Sequence, residues 1–167
     1  MSVKLRKKCE ELLLETGCSK KVIAHCRVVR DVACEYAERN PAIHFSLLEE
    51  GAFLHDIGRC ITHSIAHAQE GADLLRAKNF PEEVARIVEC HIGAGLTADE
   101  CVALGLKPRD CMPSTPEEKI VCHADNLVAG TKRITIEESV ATSSFLPQKF
   151  QDRMHRLAAE VELLCSP

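Results

Sequence analysis

Apolar residues recur along most of the chain at intervals of three and four, the spacing of one face of an α-helix. In the first segment, Leu5, Cys9 and Leu12 follow this spacing over residues 4–15, and Gly17 ends it. Runs that alternate between apolar and polar residues, which are typical of half-buried β-strands, are few. The pattern therefore predicts an all-α protein, a helical bundle of about seven to nine helices.

Capping residues indicate where the next helices begin and end. Ser19 is a suitable N-cap, and Pro41 ends the helix that Ser19 begins, because the residue before a proline is disfavoured in the α region. A loop is predicted over 57–63, and Ser64 is expected to cap the helix that follows it. The predicted helices in this half are 20–38, 43–55 and 65–78.

Similar signals define the second half of the chain. Pro81 suits the first position of a helix, and Thr115-Pro116-Glu117-Glu118 has the spacing of a capping box. Thr97 and Thr135 also stand at expected helix starts. Residues 131–167 are expected to complete the core or to form a dimer face. The predicted helices here are 81–91, 97–104, 115–128, one that starts at 135, and 147–164.

Length, charge and composition limit the possible functions. A chain of 167 residues predicts one domain over 1–167, and the formal net charge of −4 with only six aromatic residues argues against a nucleic-acid partner. No stretch approaches the roughly 20 apolar residues of a membrane helix, and residues 1–15 are charged and amphipathic, unlike a signal peptide. We therefore expect a cytoplasmic protein that contacts no membrane.

Ten cysteines are a high number for a chain of this length. No two of them form a C-x-x-C pair, so the usual spacing of a zinc ribbon is absent from the sequence. Most fall at apolar positions of predicted helices, where a free cysteine behaves as a small hydrophobic residue. We interpret them as reduced core residues, and we keep a cysteine metal site as an alternative.

A different set of metal-binding residues is spread over three predicted helices. His55 and Asp56 stand together at the end of an apolar run, and they offer the nitrogen and oxygen ligands that suit a first-row divalent metal. His25 lies at the edge of the apolar face of the second helix, and Asp125 lies within the helix that starts at Thr115. A carboxylate on the buried side of a helix is costly unless it is paired or bound to a metal. We therefore expect these residues to converge inside the bundle.

The order His25, then His55-Asp56, then Asp125 resembles the H…HD…D signature of the HD-domain superfamily of metal-dependent phosphohydrolases. The continuation Ile57-Gly58 is similar to its HDIG subgroup, and the similarity extends over residues 20–130. The resemblance implies a helical bundle of the HD-domain type. It also implies that one divalent metal is bound, which would be Mn, Fe, Co, Ni or Zn, with Mg also allowed. The implied ligands are His25, His55, Asp56 and Asp125.

The resemblance implies further site residues around that metal. His67 and His91 occupy places where some members hold a second metal, but Ile92 stands where many two-metal members have another histidine. Contacts of His67 and His91 with the substrate phosphate or with water therefore remain an alternative. Arg59 is expected to bind phosphate and assist catalysis, since a guanidinium can hold a phosphate through two hydrogen bonds. Glu70 is a candidate to orient or deprotonate the attacking water, and Asp56 is expected to be both ligand and catalytic residue.

The leading hypothesis is a hydrolase that cleaves a phosphomonoester or phosphodiester of a nucleotide-like small molecule with a metal-activated water. The alternative is a non-catalytic HD domain that binds a nucleotide as a sensor or interaction module. Partners on the leading hypothesis are a small phosphorylated substrate and, as a further prediction, a second copy of the chain. Three loops are expected to shape the substrate pocket: 57–63, 92–96 and 106–114.

Overall fold

The computed structural model describes residues 3–166, in which nine α-helices form a bundle with one two-stranded hairpin. This confirms the prediction of an all-α protein. A short 3₁₀ helix, Ile57–Cys60, lies between the third and fourth helices. The α-helices are α1 (Val3–Glu15), α2 (Lys20–Ala37), α3 (Phe45–Leu54), α4 (His67–Ala77), α5 (Glu82–Glu89), α6 (Ala98–Ala103), α7 (Pro116–Asn126), α8 (Ile136–Thr142) and α9 (Gln148–Leu164). The strands are β1 (Val128–Ala129) and β2 (Lys132–Arg133), and they pair antiparallel.

Side-chain caps define the starts of most of these helices. The Ser19 hydroxyl accepts a hydrogen bond from the Val22 amide at the start of α2. Thr97, Thr115 and Thr135 each form a complete capping box at the starts of α6, α7 and α8. These caps satisfy amide groups that a helix leaves without partners in its first turn. The helix starts predicted at these four residues are therefore confirmed.

Two apolar clusters hold the helices together. The larger one contains residues of α2, α3, α7 and α9. The smaller one contains residues of the first five helices, α1, α2, α3, α4 and α5. The apolar stripe of the last helix, Met154, Leu157 and Val161, is buried in the larger cluster, so α9 completes the core. A Cβ added at Gly51 would lie 2.6 Å from Ile87 Cδ1, which shows how closely α3 approaches α5.

Three local features differ from the sequence-based expectation. Helix α3 begins at Phe45, because the His44 side chain caps it by accepting a hydrogen bond from the Leu47 amide. The expected loop over 57–63 contains the 3₁₀ helix. Helix α4 begins at His67 and not at Ile65, because Ser64 forms a separate turn in which its carbonyl accepts from the His67 amide.

All ten cysteines are free thiols, and nine of them are buried. Burial raises the pKa of the Cys9 and Cys34 thiols to about 12 and that of Cys18 to about 11, which keeps them protonated and unreactive. They therefore pack as small core side chains. Within residues 3–166, no helix combines the length and apolar composition needed to cross a bilayer.

Candidate metal centre

Six side chains from five helical segments meet at one place in the bundle. His25 comes from α2, His55 and Asp56 follow directly after α3, and Asp125 lies near the end of α7. His67 is the first residue of α4, and His91 lies two residues after the end of α5. Four of the six, His55, Asp56, His67 and His91, are buried. The structure thus brings together all six residues that the sequence indicated as metal ligands.

The first half of the cluster consists of His25, His55 and Asp125. His25 Nε2 lies 2.9 Å from Asp125 Oδ1, and His55 Nε2 lies 3.4 Å from the same oxygen. These three ligand atoms are close enough together to bind a single metal ion. His25 and Asp125 have side chains 16% and 23% exposed, so this half forms the open edge of the cluster.

The second half of the cluster is joined to the first by Asp56. Asp56 Oδ1 lies 3.0 Å from His67 Nε2 and 3.6 Å from His91 Nε2. The other oxygen, Asp56 Oδ2, lies 4.0 Å from His25 Nε2 and 3.9 Å from His55 Nε2. Each carboxylate oxygen of Asp56 therefore faces a different pair of histidines, as a carboxylate shared by two cation sites would.

The four imidazoles are held in the same way. Each Nδ1 lies 2.6–2.8 Å from a backbone carbonyl oxygen, an arrangement that fixes the proton on Nδ1 and leaves the Nε2 lone pair facing the cluster. Histidines that ligate metals are usually oriented by such a bond from the nitrogen that does not bind the metal. The carbonyls belong to Gly130 for His25, Ala52 for His55, Ser64 for His67 and Val88 for His91.

One nitrogen of the cluster is buried without a hydrogen-bond partner. His55 Nε2 is inaccessible to solvent and accepts no hydrogen bond from any described residue. A buried polar atom without a partner costs free energy, so such atoms are rare unless an ion or water binds them. The unpartnered atom lies beside the Asp125 carboxylate, and a divalent cation would satisfy both. The residues present therefore fit a metal ion.

The charges of the cluster also favour a cation. Burial raises the pKa of Asp56, but His55, His67 and His91 outweigh it and hold that pKa far below its usual range. The pKa of Asp125 is likewise held low, since the neighbouring His25 and His55 side chains outweigh its burial. Both carboxylates are therefore ionised at neutral pH.

Two of the histidines have pKa values that are shifted in opposite directions. Burial lowers the pKa of His55, but the nearby Cys26 thiol and the Asp125 and Asp56 carboxylates outweigh it and raise that pKa. Burial lowers the pKa of His91, which stays neutral. The surroundings of His55 thus favour a positive charge. The His91 imidazole is uncharged and available as a ligand.

Arg59 extends the cluster towards solvent. Its Nε donates a hydrogen bond of 3.0 Å to Asp56 Oδ1, and its Nη1 donates one of 3.2 Å to the His63 carbonyl. The 3₁₀ helix places it there, because Arg59 follows Asp56 by three residues in that tight turn. The guanidinium therefore lies beside the shared carboxylate, and its remaining nitrogen, Nη2, makes no hydrogen bond to any residue within 3–166.

Glu70 is not brought into the cluster. Among the described residues, its carboxylate pairs with Lys107 Nζ at 3.0 Å and with no histidine or arginine of the centre. It lies three residues after His67 in the first turn of α4, and its side chain is partly exposed. The sequence missed the four carbonyl groups that orient the histidines, because backbone acceptors carry no residue-type signal.

Comparisons with known proteins agree with this arrangement. Residues 22–130 match the family model described as HD domain. The chain is 43% identical over 146 residues to an uncharacterized protein of Methanocaldococcus jannaschii, covering 85% of this chain and 82% of that one. It is 41% identical over 150 residues to the tRNA (cytidine(56)-2'-O)-methyltransferase of Thermoplasma volcanium, covering 90% of this chain but only 44% of the methyltransferase.

Solved structures with the same fold come from the HD domain of the L. monocytogenes phosphodiesterase PgpH. The match has a TM-score of 0.61 at 17% identity and covers 94% of this chain and 93% of that domain. The same domain in complex with cyclic-di-AMP matches with a TM-score of 0.56 at 16% identity, covering 93% of this chain and 95% of that one. The family match covers the histidines and aspartates of the cluster, and the chain belongs to the HD domain family.

Proposed function

We propose that this chain is a metal-dependent phosphohydrolase that cleaves a phosphomonoester or phosphodiester of a nucleotide-like small molecule. The observation that carries the proposal is the convergence of four imidazole Nε2 atoms and two ionised carboxylates, with every Nδ1 bonded to a carbonyl. Membership of the HD domain family supports a hydrolase. The phosphodiesterase and tRNA-modifying names among the similar proteins support a nucleotide-type substrate.

In this proposal the first metal site consists of His25, His55, Asp56 and Asp125. The unpartnered His55 Nε2 and the 2.9 Å approach of His25 Nε2 to Asp125 Oδ1 support this set. Imidazole and carboxylate ligands suit Mn, Fe, Co, Ni and Zn, and in cells geometry and metal availability decide between them. Mg remains allowed, although it prefers oxygen ligands.

A second site would use His67, His91 and the Asp56 oxygen that faces them. His67 Nε2 and His91 Nε2 lie 3.0 Å apart. Both rings donate their Nδ1 protons to carbonyls, so two neutral rings would point lone pairs at each other. A cation bound by both nitrogens would turn this repulsion into attraction. Contact of the two rings with substrate phosphate or water is the competing role.

A divalent metal bound in this cluster would lower the pKa of a coordinated water and stabilise negative charge on the phosphoryl group. The chain's own residues would position the reactants. The open edge at His25 and Asp125 admits the phosphoryl group, and the Arg59 guanidinium can bind one of its oxygens through Nη2. The two Asp56 oxygens lie beside the histidines of both halves and would hold them in fixed positions relative to each other. Glu70 has no part in this proposal, because its carboxylate is bound to Lys107.

The experiment combines elemental analysis with hydrolysis of a panel of nucleotides and phosphodiesters in the presence of Mn, Co, Ni or Mg. We expect turnover in the wild type and its loss in a His55→Ala, Asp56→Ala double variant. The matched control is His155→Ala, which removes an exposed histidine of α9. Undiminished hydrolysis in the double variant would refute the mechanism.

A non-catalytic nucleotide-binding module is the second candidate function. The similarity to less than half of a tRNA methyltransferase favours it, because a domain attached to another enzyme can serve that enzyme by binding alone. It predicts metal and nucleotide binding without turnover on any member of the panel.

A further inference from the structure

An apolar cavity of about 250 Å³ is lined in part by residues that lie next to the candidate ligands His67 and His91 in the chain. It lies between the 92–96 turn, the end of α6 and the first half of α9. Its principal wall residues are Ile65, Ile92, Leu104, Leu146, Phe150 and Met154.

The chain connects this cavity directly to the metal ligands. Ile92 follows His91, and Ile65 precedes His67 by two residues. On the third side, the side chain of Asn126, the neighbour of Asp125, donates a hydrogen bond to the carbonyl of Gly93 in the turn. The segments that carry His67 and His91 thus also form part of the cavity wall, and Asn126 ties that wall to the helix that carries Asp125.

Several polar groups of this wall already have partners among the described residues. The Gly95 carbonyl accepts a hydrogen bond of 2.8 Å from Arg153 Nη1, and Arg153 is also paired with Glu100 at 2.8 Å. The Ile92 carbonyl accepts a bond of 2.8 Å from the Gly95 amide. A ligand in this cavity would therefore be recognised by shape and by burial of apolar surface, and not by hydrogen bonds.

The rim of the cavity leaves large apolar side chains in contact with water. Leu104 is 48% exposed and Ile65 is 38% exposed. Exposed apolar residues that border a concave apolar surface are typical of a ligand-binding groove. Covering them is favourable, so the site favours a ligand with an apolar part.

We infer that this cavity binds the uncharged organic group of the phosphoester, an aromatic ring or short alkyl chain, while the phosphoryl group lies at the metal centre. The inference rests on the proposed function. The volume is below the roughly 300–1,000 Å³ of pockets for drug-sized ligands, so the cavity accommodates one ring system. Since the side chains that line it are mostly apolar and Arg153 is already paired with Glu100, the cavity discriminates weakly between different bases attached to the same phosphate.

The test uses 1-naphthol as a phosphate-free probe, together with 1-naphthyl phosphate and glycerol 3-phosphate as apolar and polar monoesters. Leu104→Gln places a polar group on the cavity rim at an exposed position, which limits its effect on folding. Val102→Gln is the matched control, because Val102 lies two residues before Leu104, is 58% exposed and does not line the cavity. Fluorescence titration gives the Kd of 1-naphthol, and phosphate release gives kcat/KM for the two esters.

We expect the Kd of 1-naphthol to rise about fivefold in Leu104→Gln and to stay unchanged in Val102→Gln. The wild type should prefer 1-naphthyl phosphate over glycerol 3-phosphate in kcat/KM, and Leu104→Gln should reduce this preference by a similar factor. Failure of 1-naphthol to bind, or equal effects of the two variants on its Kd, would overturn the inference. Naphthol binding that follows the expected pattern without hydrolysis of either ester would uphold the cavity and count against the phosphohydrolase.

Discussion

Gly58 is the position where one added methyl group should do the most damage near the metal centre. A Cβ there would lie 2.6 Å from the Gly71 amide nitrogen and 2.9 Å from the His67 carbonyl carbon, and it would overlap the His67 carbonyl oxygen. Gly58 belongs to the 3₁₀ helix, and both of its neighbours belong to the backbone of α4. Gly58→Ala therefore forces the two elements apart.

The size of the effect follows from these distances. Atoms in contact prefer separations of about 3.5–4.0 Å, so the gap must open by more than about 1 Å. Overpacking of a buried site costs about 1–3 kcal/mol, and rigid backbone on both sides places this case at the upper end. For a chain of this size, about 3 kcal/mol corresponds to a fall in Tm of about 6–12 °C. A shift of His67 by about 1 Å should also weaken metal binding.

The assay is thermal unfolding in the presence of a chelator, so that only the polypeptide is measured, followed by metal titration of the folded protein. Gly17→Ala is the control, since Gly17 has a φ of +89° and its added Cβ would meet nothing within 4 Å. That control should cost about 1–2 kcal/mol of backbone strain and leave metal binding unchanged. A Tm of Gly58→Ala within 2 °C of the wild type, with normal metal binding, would refute the packing argument.

Three further predictions concern residues outside the centre. Burial lowers the pKa of His123 to about 4, below about 6.5 in the unfolded chain, so protonation favours unfolding as the pH falls between these values. The wild type should therefore lose on the order of 3 kcal/mol of its free energy of unfolding over this pH range. In urea titrations, His123→Gln should lack this loss. Glu89 is 2% exposed and paired with three arginines, so Glu89→Ala should lower the free energy of unfolding by about 3 kcal/mol. Glu160 belongs to an exposed pair, and Glu160→Ala should lower it by less than about 1 kcal/mol in the same urea titrations. In thiol labelling of the native protein, Cys60, the one cysteine that is not buried, should react first, and Cys60→Ser should remove that fast phase.

The sequence predicted the helices well where capping chemistry is local. Thr97, Thr115 and Thr135 each begin a helix with a capping box, because the threonine and the glutamate three residues later satisfy each other's backbone groups. The start of α4 was predicted two residues early, at Ile65. Ser64 closes its own turn by accepting from the Ala66 amide, which a residue pattern does not distinguish from a helix cap.

For the site, the sequence predicted the residue types but not what holds them. Residue order alone indicated His25, His55, Asp56 and Asp125, and their convergence depends on long-range packing of α2, α3 and α7. The hairpin of β1 and β2 was not predicted, because strands of two residues show no alternation. That hairpin supplies the Gly130 carbonyl, which accepts from His25 Nδ1 at 2.7 Å. Glu70 was expected at the centre, and Lys107, distant in sequence, pairs with it at the surface instead.

The most direct test of the account is the number of metal ions bound per chain, measured by elemental analysis after saturation with Mn and removal of excess metal. We predict two ions in the wild type, one in a His67→Ala, His91→Ala variant, and a marked loss in a His25→Ala, Asp125→Ala variant. Cys101→Ser, Cys111→Ser should keep the wild-type number, because both thiols are buried and pack as small hydrophobic side chains. Full metal content without His25 and Asp125, or loss of metal in the cysteine variant, would contradict the account.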